Sequence, residues 1–381
     1  MNNQLKVIIS GGGTGGHIFP AIAIANELKA RAENMPKKSG SQNLGVEILF
    51  IGAEGRMEME RVPQAGYEIR GLKVMGIDRK HLWRNAKVIY NYIRSKREAA
   101  KIIKEFAPDV AIGVGGYASG PAIGAAEDLK VPVLLQEQNS YAGVTNKMLS
   151  KRAATICVAY EGMEKFFPEG RIVLTGNPVR QELTVNTLTR ELACRALGLN
   201  PAKRTVLIVG GSLGARTLNE SVLLHLDLIR KQRDVQFYWQ TGKLYSQEIK
   251  DALDEKIKPD NLHVSDFIAD MAKAYKAADL VISRAGACSI SELQLLGKPA
   301  ILVPSPNVAE DHQTKNAMAL VSKKAAICVR DAEARMALLP RAIGVVNDAA
   351  QLTALSQNIA KMGKPNATRQ IVDEILKLAK N

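Results

Sequence analysis

The feature that most constrains the fold of this chain is an alternation of short apolar runs with helix-length amphipathic segments. Short runs rich in Val, Ile and Leu are typical of strands buried on both faces of a parallel sheet. The intervening segments, such as residues 21–31 and 88–106, have helical periodicity. Because doubly wound folds alternate strands and helices in this way, the pattern predicts α/β architecture with parallel sheets.

The predicted strands fall into two series, separated by the turn signal Gly176-Asn177-Pro178. A chain of 381 residues is too long for one ordinary core. We therefore expect two similar domains, residues 1–175 and 176–365, hinged near residues 176–180, with a closing helix of about residues 366–381 packed back on the first. Both series open alike, with KVIISGGGTGG and TVLIVGGSLGA. The predicted strands are residues 5–10, 46–51, 110–114, 131–136, 155–158 and 171–175, then 205–209, 236–239, 263–265, 280–283, 300–303 and 326–329.

The net charge of the chain limits the kinds of molecule that it is expected to bind. The chain has 52 Lys and Arg against 38 Asp and Glu, a net charge of +14, and residues 79–105 alone contain nine basic and two acidic residues. Such a protein can bind nucleic acid, an anionic membrane surface or a phosphate-bearing substrate. Aromatic residues make up only 5% and no nucleic-acid-binding motif is present, so we expect no nucleic acid partner.

Targeting signals and cysteine spacing give expectations about location. No apolar stretch is long enough for a transmembrane helix, and no secretory signal is visible at the N-terminus. The four cysteines lie far apart without CxxC spacing, which favours reduced thiols over a disulfide framework or a zinc site. These features indicate a cytoplasmic protein.

Glycine-rich loops follow three of the predicted strands. The first is Gly11-Gly12-Gly13-Thr14-Gly15-Gly16, which satisfies GxGxxG and lets backbone N–H groups approach a phosphate at a helix N-terminus. A plain tight turn is the alternative. An NAD-dependent oxidoreductase also remains open, with Glu54 as a poor candidate for its ribose-binding acid. No GK[ST] follows, so a P-loop is excluded.

The second and third loops, GVGGYASGP from Gly113 and GGSLGAR from Gly210, also end predicted strands. Ligands of open α/β sheets collect at the carboxyl ends of the strands. We therefore expect a cleft between the two domains that is lined by phosphate-binding backbone from both. That arrangement suits a nucleotide-diphosphate donor and a pyrophosphate-bearing acceptor.

Seven motifs in register carry a family resemblance: GGGTGGH, GVGGYASGP, QEQNSYAGVTNK, TGNPVR, GGSLGAR, FIADMAKAYKAADLVISRAGACSISE and PNVAEDHQTKNA. The chain resembles the bacterial MurG family over nearly its whole length. That family implies a GT-B fold of two Rossmann-like domains. It also implies inverting transfer of N-acetylglucosamine from UDP-N-acetylglucosamine to undecaprenyl-diphosphate-linked muramoyl-pentapeptide, which forms a β-1,4 linkage in peptidoglycan synthesis.

The resemblance assigns substrate-binding roles. Glu292 would accept from two ribose hydroxyls, and the alternative is a first-turn glutamate that complements the helix dipole. Ile268 would present backbone groups to uracil, while Asn139 and Gln313 would bind sugar hydroxyls. Arg180, for which a hinge salt bridge is the alternative, and Ser212 would bind diphosphate or uracil. The expected substrate-binding residues are Thr14, Gly15, Gly16, Asn139, Arg180, Ser212, Ile268, Ala287, Cys288, Ser289, Ile290, Ser291, Glu292 and Gln313, of which Ala287 and Cys288 act through backbone N–H groups.

On the acceptor side, His17 is the candidate general base, since it ends the first glycine loop at a predicted helix start. A structural or pyrophosphate-binding histidine is the alternative. Glu137 and Tyr117 are lesser candidates for orienting the acceptor, together with the glycine loop at Gly115 and Gly116. No DxD motif occurs, so we expect no metal site and no cofactor, with the leaving UDP stabilised by Arg, Ser and helix N-termini.

The basic segment predicts a membrane contact. On a helix from Leu82, the residues Leu82, Ala86, Ile89 and Ile93 share one face, which we expect to be core. Trp83 and Tyr90 would lie at its edge beside Lys87 and Arg94, as in a membrane-surface helix. An ordinary amphipathic helix is the alternative. We expect a peripheral enzyme on the anionic cytoplasmic face of the inner membrane, and a non-catalytic nucleotide-sugar-binding scaffold as the third class of function.

Overall fold

The structure, a computed structural model, describes residues 4–34, 45–74, 85–180, 183, 187–211 and 213–380, with the backbone alone for residues 85–89 and 309. The chain divides into two compact units. Unit 1 is Met1–Arg180 with Pro365–Asn381, and unit 2 is Gln181–Lys364.

Unit 1 is built on a parallel sheet of seven strands among the described residues, in the order β3-β2-β1-β4-β5-β6-β7. The strand order reverses between β1 and β4, which is where open α/β sheets bind ligands. The strands are β1 (Gln4–Ser10), β2 (Gly45–Ala53), β3 (Glu68–Leu72), β4 (Val110–Gly113), β5 (Val133–Glu137), β6 (Thr155–Val158) and β7 (Ile172–Leu174). The helices before unit 2 are α1 (Gly15–Asn34), α2 (Glu58–Gln64), α3 (Asn85–Phe106), α4 (Ser119–Asp128) and α5 (Val144–Leu149).

Apolar side chains cover both faces of this sheet. On β1, Ile8 belongs to one core cluster, whereas its neighbours Val7 and Ile9 belong to the other. All three are fully buried. A continuous apolar run is therefore required here, because alternate residues of a strand point to opposite faces.

Unit 2 repeats the topology with six described parallel strands in the order β10-β9-β8-β11-β12-β13, reversing between β8 and β11. One main core cluster includes Trp239 of β9, which is fully buried. The strands are β8 (Arg204–Val209), β9 (Val235–Gln240), β10 (Leu262–Ser265), β11 (Leu280–Ser283), β12 (Ala300–Leu302) and β13 (Ile327–Cys328). The helices are α6 (Arg190–Ala196), α7 (Arg216–Leu224), α8 (Leu226–Arg230), α9 (Ser246–Asp254), α10 (Met271–Ala277), α11 (Ala287–Leu296), α12 (His312–Val321), α13 (Asp331–Asn347) and α14 (Ala349–Ala360).

The predicted α/β class with parallel sheets is confirmed, and every predicted strand is present with its ends within two residues of the prediction. The edge strand β3 was not predicted. Two of its five residues, Glu68 and Arg70, are exposed and two more are half-buried, so it lacks the apolar run by which the buried strands are recognised.

The last helix, α15 (Ala367–Leu378), belongs to unit 1. Its residues Ile371, Val372 and Ile375 are fully buried in the core cluster that also holds α1. At the rim, Arg31 of α1 pairs with Asp373 and donates to the Arg369 carbonyl at 3.2 Å. The apolar contacts account for most of the binding of this helix, because surface ion pairs contribute little.

Two further properties concern the described part of the chain. None of its helices is both long and apolar enough to cross a membrane. All four cysteines lie within it and none forms a disulfide; Cys157 and Cys194 are buried.

We predict that Ile375→Ala destabilises unit 1 by about 2–4 kcal/mol, because it leaves a cavity between α15 and the sheet. Chemical denaturation followed by circular dichroism measures the change. The matched control is Ile257→Ala, since Ile257 is 84% exposed in unit 2 and should change stability by less than about 0.5 kcal/mol. Equal stability of the two variants would contradict the packing of α15.

Candidate active site

The glycine loops after β1 and β4 contact each other backbone to backbone at the switch point of the unit 1 sheet. The Gly12 N–H donates to the Gly115 carbonyl at 3.3 Å. A Cβ on Gly116 would lie 2.2 Å from the Gly12 carbonyl oxygen, and Gly116 has φ +90°. Both space and backbone conformation therefore require glycine at Gly116.

His17 lies in the first turn of α1, as the sequence predicted, and is half-buried. Its Nδ1 is 3.1 Å from the Gly12 carbonyl oxygen and 3.3 Å from Thr14 Oγ1. A Cβ on Gly115 would lie 3.0 Å from His17 Nε2. The imidazole thus has Nδ1 on the first glycine loop and Nε2 towards the second.

The other residues that we expect near the acceptor lie in these two loops. Thr14 and Gly16 are exposed, Gly15 is half-buried, and Tyr117 is 54% exposed. A Cβ on Gly13 would lie 3.7 Å from Tyr117 Cδ2, so the tyrosine ring stands over the first glycine loop. The structure therefore brings the predicted acceptor loops together around His17.

Glu137 ends β5 and is buried. Its Oε1 accepts from the Asn139 backbone N–H at 3.1 Å and from Asn139 Nδ2 at 3.3 Å. Its Oε2 accepts from the Gly143 N–H at 3.0 Å and from Asn146 Nδ2 at 2.9 Å. Burial raises the pKa of Glu137 above its ordinary value, and these hydrogen bonds partly oppose the rise. The carboxyl group holds the β5–α5 loop and, through it, Asn139.

A buried amide network beside Glu137 was not predicted. Gln136 Nε2 donates to Asn177 Oδ1 at 2.9 Å, and Asn177 Nδ2 donates to the Gln138 carbonyl at 2.9 Å. Gln138 Nε2 donates to the Val114 carbonyl at 2.9 Å. The network fixes the TGNP turn and the second glycine loop to the end of β5. The sequence signal for this network is the group of amide side chains at strand ends in QEQN and TGNP, although Gln136 and Asn177 are 41 residues apart in the sequence.

Unit 2 uses the same backbone contact between the loops after β8 and β9. A Cβ on Gly214 would lie 2.2 Å from the Thr241 carbonyl oxygen, and one on Gly242 would lie 2.1 Å from Gly214 N. Asn219 secures the second loop, since its Nδ2 donates to the Thr241 carbonyl at 2.9 Å. The predicted residue Ser212 falls in the first of these loops, outside the described residues.

Glu292 is the sixth residue of α11, so the alternative of a first-turn glutamate that complements the helix dipole does not hold. The helix begins at Ala287, which places Glu292 in its second turn, and the dipole effect fades beyond the first turn. Glu292 is 4% exposed, and its Oε2 accepts from the Tyr275 hydroxyl at 3.0 Å. Tyr275 was not predicted as a site residue; it orients this carboxylate from α10.

The rest of the predicted run forms the start of α11, directly after β11 at the unit 2 switch point. Ala287 and Cys288 are its first two residues, the position where helices bind anions. Ser289 is half-buried and Ser291 is buried. Ile290 is fully buried, so its side chain is part of the core and only its backbone is suited to a ligand.

Arg284, between β11 and α11, was also not predicted. Its guanidinium pairs with Asp331 and donates to the carbonyls of Val303 and Pro304 at 3.2 and 3.3 Å. Thr217 of α7 donates to the same aspartate at 3.1 Å. Arg284 therefore joins the loops that follow β11 and β12 to the starts of α7 and α13.

Three predicted donor residues occupy different surroundings. Ile268 is 4% exposed, so its side chain is core, as the sequence indicated for that side chain. Gln313 is half-buried, and its Oε1 accepts from the Ser305 N–H at 2.8 Å. Arg180 ends the first segment of unit 1 and is exposed.

The predicted membrane helix is described only in part. Trp83 and Leu82 lie outside the described residues, and nothing is described of the side chains of Ala86, Lys87 and Ile89. Tyr90 is 65% exposed and Arg94 is exposed.

Ile93 was predicted to be core, and this is wrong, because it is 45% exposed. The buried face of α3 instead contains Ser95, Ala99 and Ile103. These residues follow helical spacing on another side of the helix, where a serine and an alanine leave a weak apolar signal.

The part of the chain that the structure describes contains no group of three or more His, Cys, Asp or Glu side chains that could hold a metal ion.

Comparisons with known proteins identify the family to which the chain belongs. The Glycosyltransferase family 28 N-terminal domain matches residues 7–158, and the Glycosyltransferase family 28 C-terminal domain matches residues 205–371. A UDP-N-acetylglucosamine–N-acetylmuramyl-(pentapeptide) pyrophosphoryl-undecaprenol N-acetylglucosamine transferase of Bacteroides fragilis is 59% identical over 99% of this chain and 96% of its own. The transferase of the same name from Porphyromonas gingivalis is 53% identical, over 100% and 97%.

Solved structures show the same fold. Acinetobacter baumannii MurG has a TM-score of 0.75 and 29% identity, covering 98% of this chain and 99% of its own. The UDP-GlcNAc 2-epimerase of Neisseria meningitidis, at 16% identity and a TM-score of 0.63 over 98% and 100%, shares the fold alone. The predicted GT-B fold is confirmed, and the chain belongs to glycosyltransferase family 28 and, within it, to the MurG family.

Proposed function

We propose that this chain is an inverting glycosyltransferase that moves N-acetylglucosamine from UDP-N-acetylglucosamine to the 4-hydroxyl of undecaprenyl-diphospho-MurNAc-pentapeptide, which converts lipid I to lipid II. The observation that carries the proposal is full-length identity of 59% to a transferase named for this reaction. The position of the motif loops at both sheet switch points agrees with it. Nothing in the comparisons supports the oxidoreductase alternative.

The donor binds to unit 2. The N-terminus of α11, at Ala287 and Cys288, faces the diphosphate with its backbone N–H groups. Glu292, oriented by Tyr275, accepts from the ribose hydroxyls, and the backbone at Ile268 binds uracil. Ser212 binds diphosphate or uracil, while Gln313 binds sugar hydroxyls, with its amide nitrogen because its oxygen is bonded to Ser305.

The acceptor binds to unit 1. Its pyrophosphate meets backbone N–H groups of the loops at Thr14–Gly16 and Gly115–Tyr117, which the contact between Gly12 and Gly116 holds together. Asn139 binds sugar hydroxyls. Glu137 acts as a positioning residue, since three of its four hydrogen bonds hold the loop that carries Asn139 and the fourth joins that loop to Asn146 of α5.

His17 is the general base. As the acceptor 4-hydroxyl oxygen forms its bond to the anomeric carbon, its proton passes to His17 Nε2. The bond from that carbon to the UDP oxygen breaks on the opposite face, and UDP leaves with the electron pair. Backbone N–H groups at the α11 N-terminus stabilise the negative charge that develops on the leaving group.

The enzyme acts at the membrane surface, because the acceptor's lipid remains in the bilayer. We propose that this surface is the cytoplasmic face. Support comes from exposed apolar residues on two neighbouring helices: Tyr90 and Ile93 of α3, and Val144 and Met148 of α5. Both helices pack on α4, because a Cβ added at Gly120 of α4 would lie 3.4 Å from the Tyr92 ring of α3 and 3.9 Å from Met148 Cε of α5. Arg94, which is exposed, follows Ile93 on α3. Cations beside exposed apolar groups are typical of surfaces that bind anionic membranes.

The reaction is tested by transfer of labelled sugar from UDP-N-acetylglucosamine to a muramoyl-pentapeptide lipid, with UDP-glucose and UDP-N-acetylgalactosamine as competing donors. We expect transfer from UDP-N-acetylglucosamine and release of one UDP per transferred sugar. Background UDP release with the correct acceptor would favour a non-catalytic scaffold, and NADH binding without UDP binding would favour an oxidoreductase.

We predict that Glu292→Gln lowers donor kcat/KM by about ten- to a hundredfold, because a charge-assisted hydrogen bond to ribose is lost. Steady-state kinetics with varied UDP-N-acetylglucosamine measures the change. Glu248→Gln, an exposed change in the first turn of α9, should be neutral. A folded Glu292→Gln enzyme with full activity would remove Glu292 from the donor site.

His17→Ala should lower kcat by about a hundredfold or more, because the acceptor proton loses its base. Donor affinity, measured by calorimetry, should change little. The control is His225→Ala, since His225 is also half-buried and its Nδ1 also contacts a backbone carbonyl, at 2.8 Å. Poor donor binding with normal turnover at saturation would show instead that His17 is a binding residue.

We predict that Ile93→Ser with Arg94→Glu weakens binding to anionic vesicles about tenfold, through loss of one apolar group and reversal of one charge. Flotation with vesicles of anionic phospholipid measures binding. Lys256→Glu with Ile257→Ser makes the same change at an exposed pair in unit 2 and should bind as wild type. Turnover of a short-chain, water-soluble acceptor should persist, and equal vesicle binding by both variants would reject this surface.

A further inference from the structure

Glu58, the first residue of α2, is a fully buried carboxylate beside the glycine loop of unit 1. Its Oε2 accepts from the Gly13 N–H at 2.9 Å, and its Oε1 accepts from the Ala53 N–H at 3.0 Å. One side chain therefore joins the loop after β1 to the end of β2. A buried carboxylate persists only when hydrogen bonds replace its lost water, and both of these donors belong to the backbone.

Two glycines make room for this carboxyl group. A Cβ on Gly12 would lie 2.1 Å from Glu58 Oε1, and a Cβ on Gly52 would lie 2.7 Å from Glu58 Cγ. Any other residue at Gly12 would have to displace the carboxylate or move the loop. The requirement for glycine at Gly12 thus comes from Glu58 as well as from the approach of the second glycine loop.

The N–H that Glu58 accepts and the carbonyl that contacts His17 belong to one peptide group. The Gly13 N–H donates to Glu58, and the carbonyl oxygen of the same Gly12–Gly13 peptide lies 3.1 Å from His17 Nδ1. We propose that Glu58 is a positioning residue that acts through this peptide to hold His17 in the tautomer with the proton on Nδ1.

The physical reason is polarisation of the peptide. A carboxylate that accepts from the N–H increases the negative charge on the carbonyl oxygen, because hydrogen bonds in a chain strengthen one another. A carbonyl oxygen can only accept, so the stronger acceptor favours a proton on Nδ1. Nε2, which points towards Gly115, then carries the lone pair.

The consequence for activity rests on the proposed function. A general base must present a lone pair to the acceptor hydroxyl, and the Nδ1–H tautomer presents it at Nε2. Glu58 thereby selects which nitrogen of His17 takes the proton, although it touches no reacting atom.

The first experiment reads the tautomer of the wild-type protein without substrate, by ¹⁵N–¹H correlation spectra of its histidine side chains, with His17→Gln to identify the signals. We expect the Nδ1–H form. An Nε2–H form would overturn the proposal even if every Glu58 variant failed to fold. A wild-type enzyme that transfers no sugar would contradict the proposed function, whereas the tautomer would still decide the role of Glu58.

The second experiment compares Glu58→Gln with Glu60→Gln, an exposed glutamate in the same helical turn. Glutamine keeps the shape but turns an NH₂ group towards one of two backbone N–H groups, so the peptide loses its charged acceptor. We expect a smaller Nδ1–H population and a kcat lower by about tenfold, with donor KM within about twofold. Glu60→Gln should match wild type. A Glu58→Gln enzyme with wild-type tautomer and kcat would overturn the proposal.

Discussion

Close contact between glycine-containing loops at the carboxyl ends of neighbouring strands, β1 and β4 in unit 1 and β8 and β9 in unit 2, is the constraint on which the site depends. In unit 1 the backbone of Gly12 meets that of Gly116, and in unit 2 Gly214 meets Gly242. Side chains would separate these loops by more than the contacts allow. The contact places two strand-end loops side by side, at the edge of the sheet where open α/β sheets bind ligands. The two units reach this arrangement with different sequences, GGGTGG and GGSLGA.

Polar side chains that are buried or half-buried hold the strand-end loops of both units in place. Glu58 and Glu137 bind backbone N–H groups in unit 1, while Asn219 and Arg284 bind backbone carbonyls in unit 2. Each bond removes the cost of burying an unsatisfied backbone group next to the site. The loops can therefore be rich in glycine and still keep one conformation, which catalysis requires.

The sequence predicts the sheets well and the supporting contacts poorly. Strands such as β6 and β11 are apolar on both faces, so their ends can be placed by composition alone. For α3, apolar periodicity selects a face with Ile93, whereas packing buries the face with Ser95 and Ala99. Glu58 binds Gly13 across 45 residues of sequence, and no local pattern reports such a pair. The family motifs identify the loops and His17 because those features are continuous in the sequence.

The return of α15 to unit 1 affects how the protein is made. Unit 1 is discontinuous in the sequence, since Ile371, Val372 and Ile375 of its core follow the whole of unit 2. All residues of unit 2 are therefore synthesised before them. On the ribosome, residues 1–180 must wait with an apolar face of α1 and the sheet uncovered until α15 has been synthesised. Completion of the core of unit 1 is thus coupled to synthesis of unit 2, and a chain that stops before α15 lacks a finished core in the part that was made first.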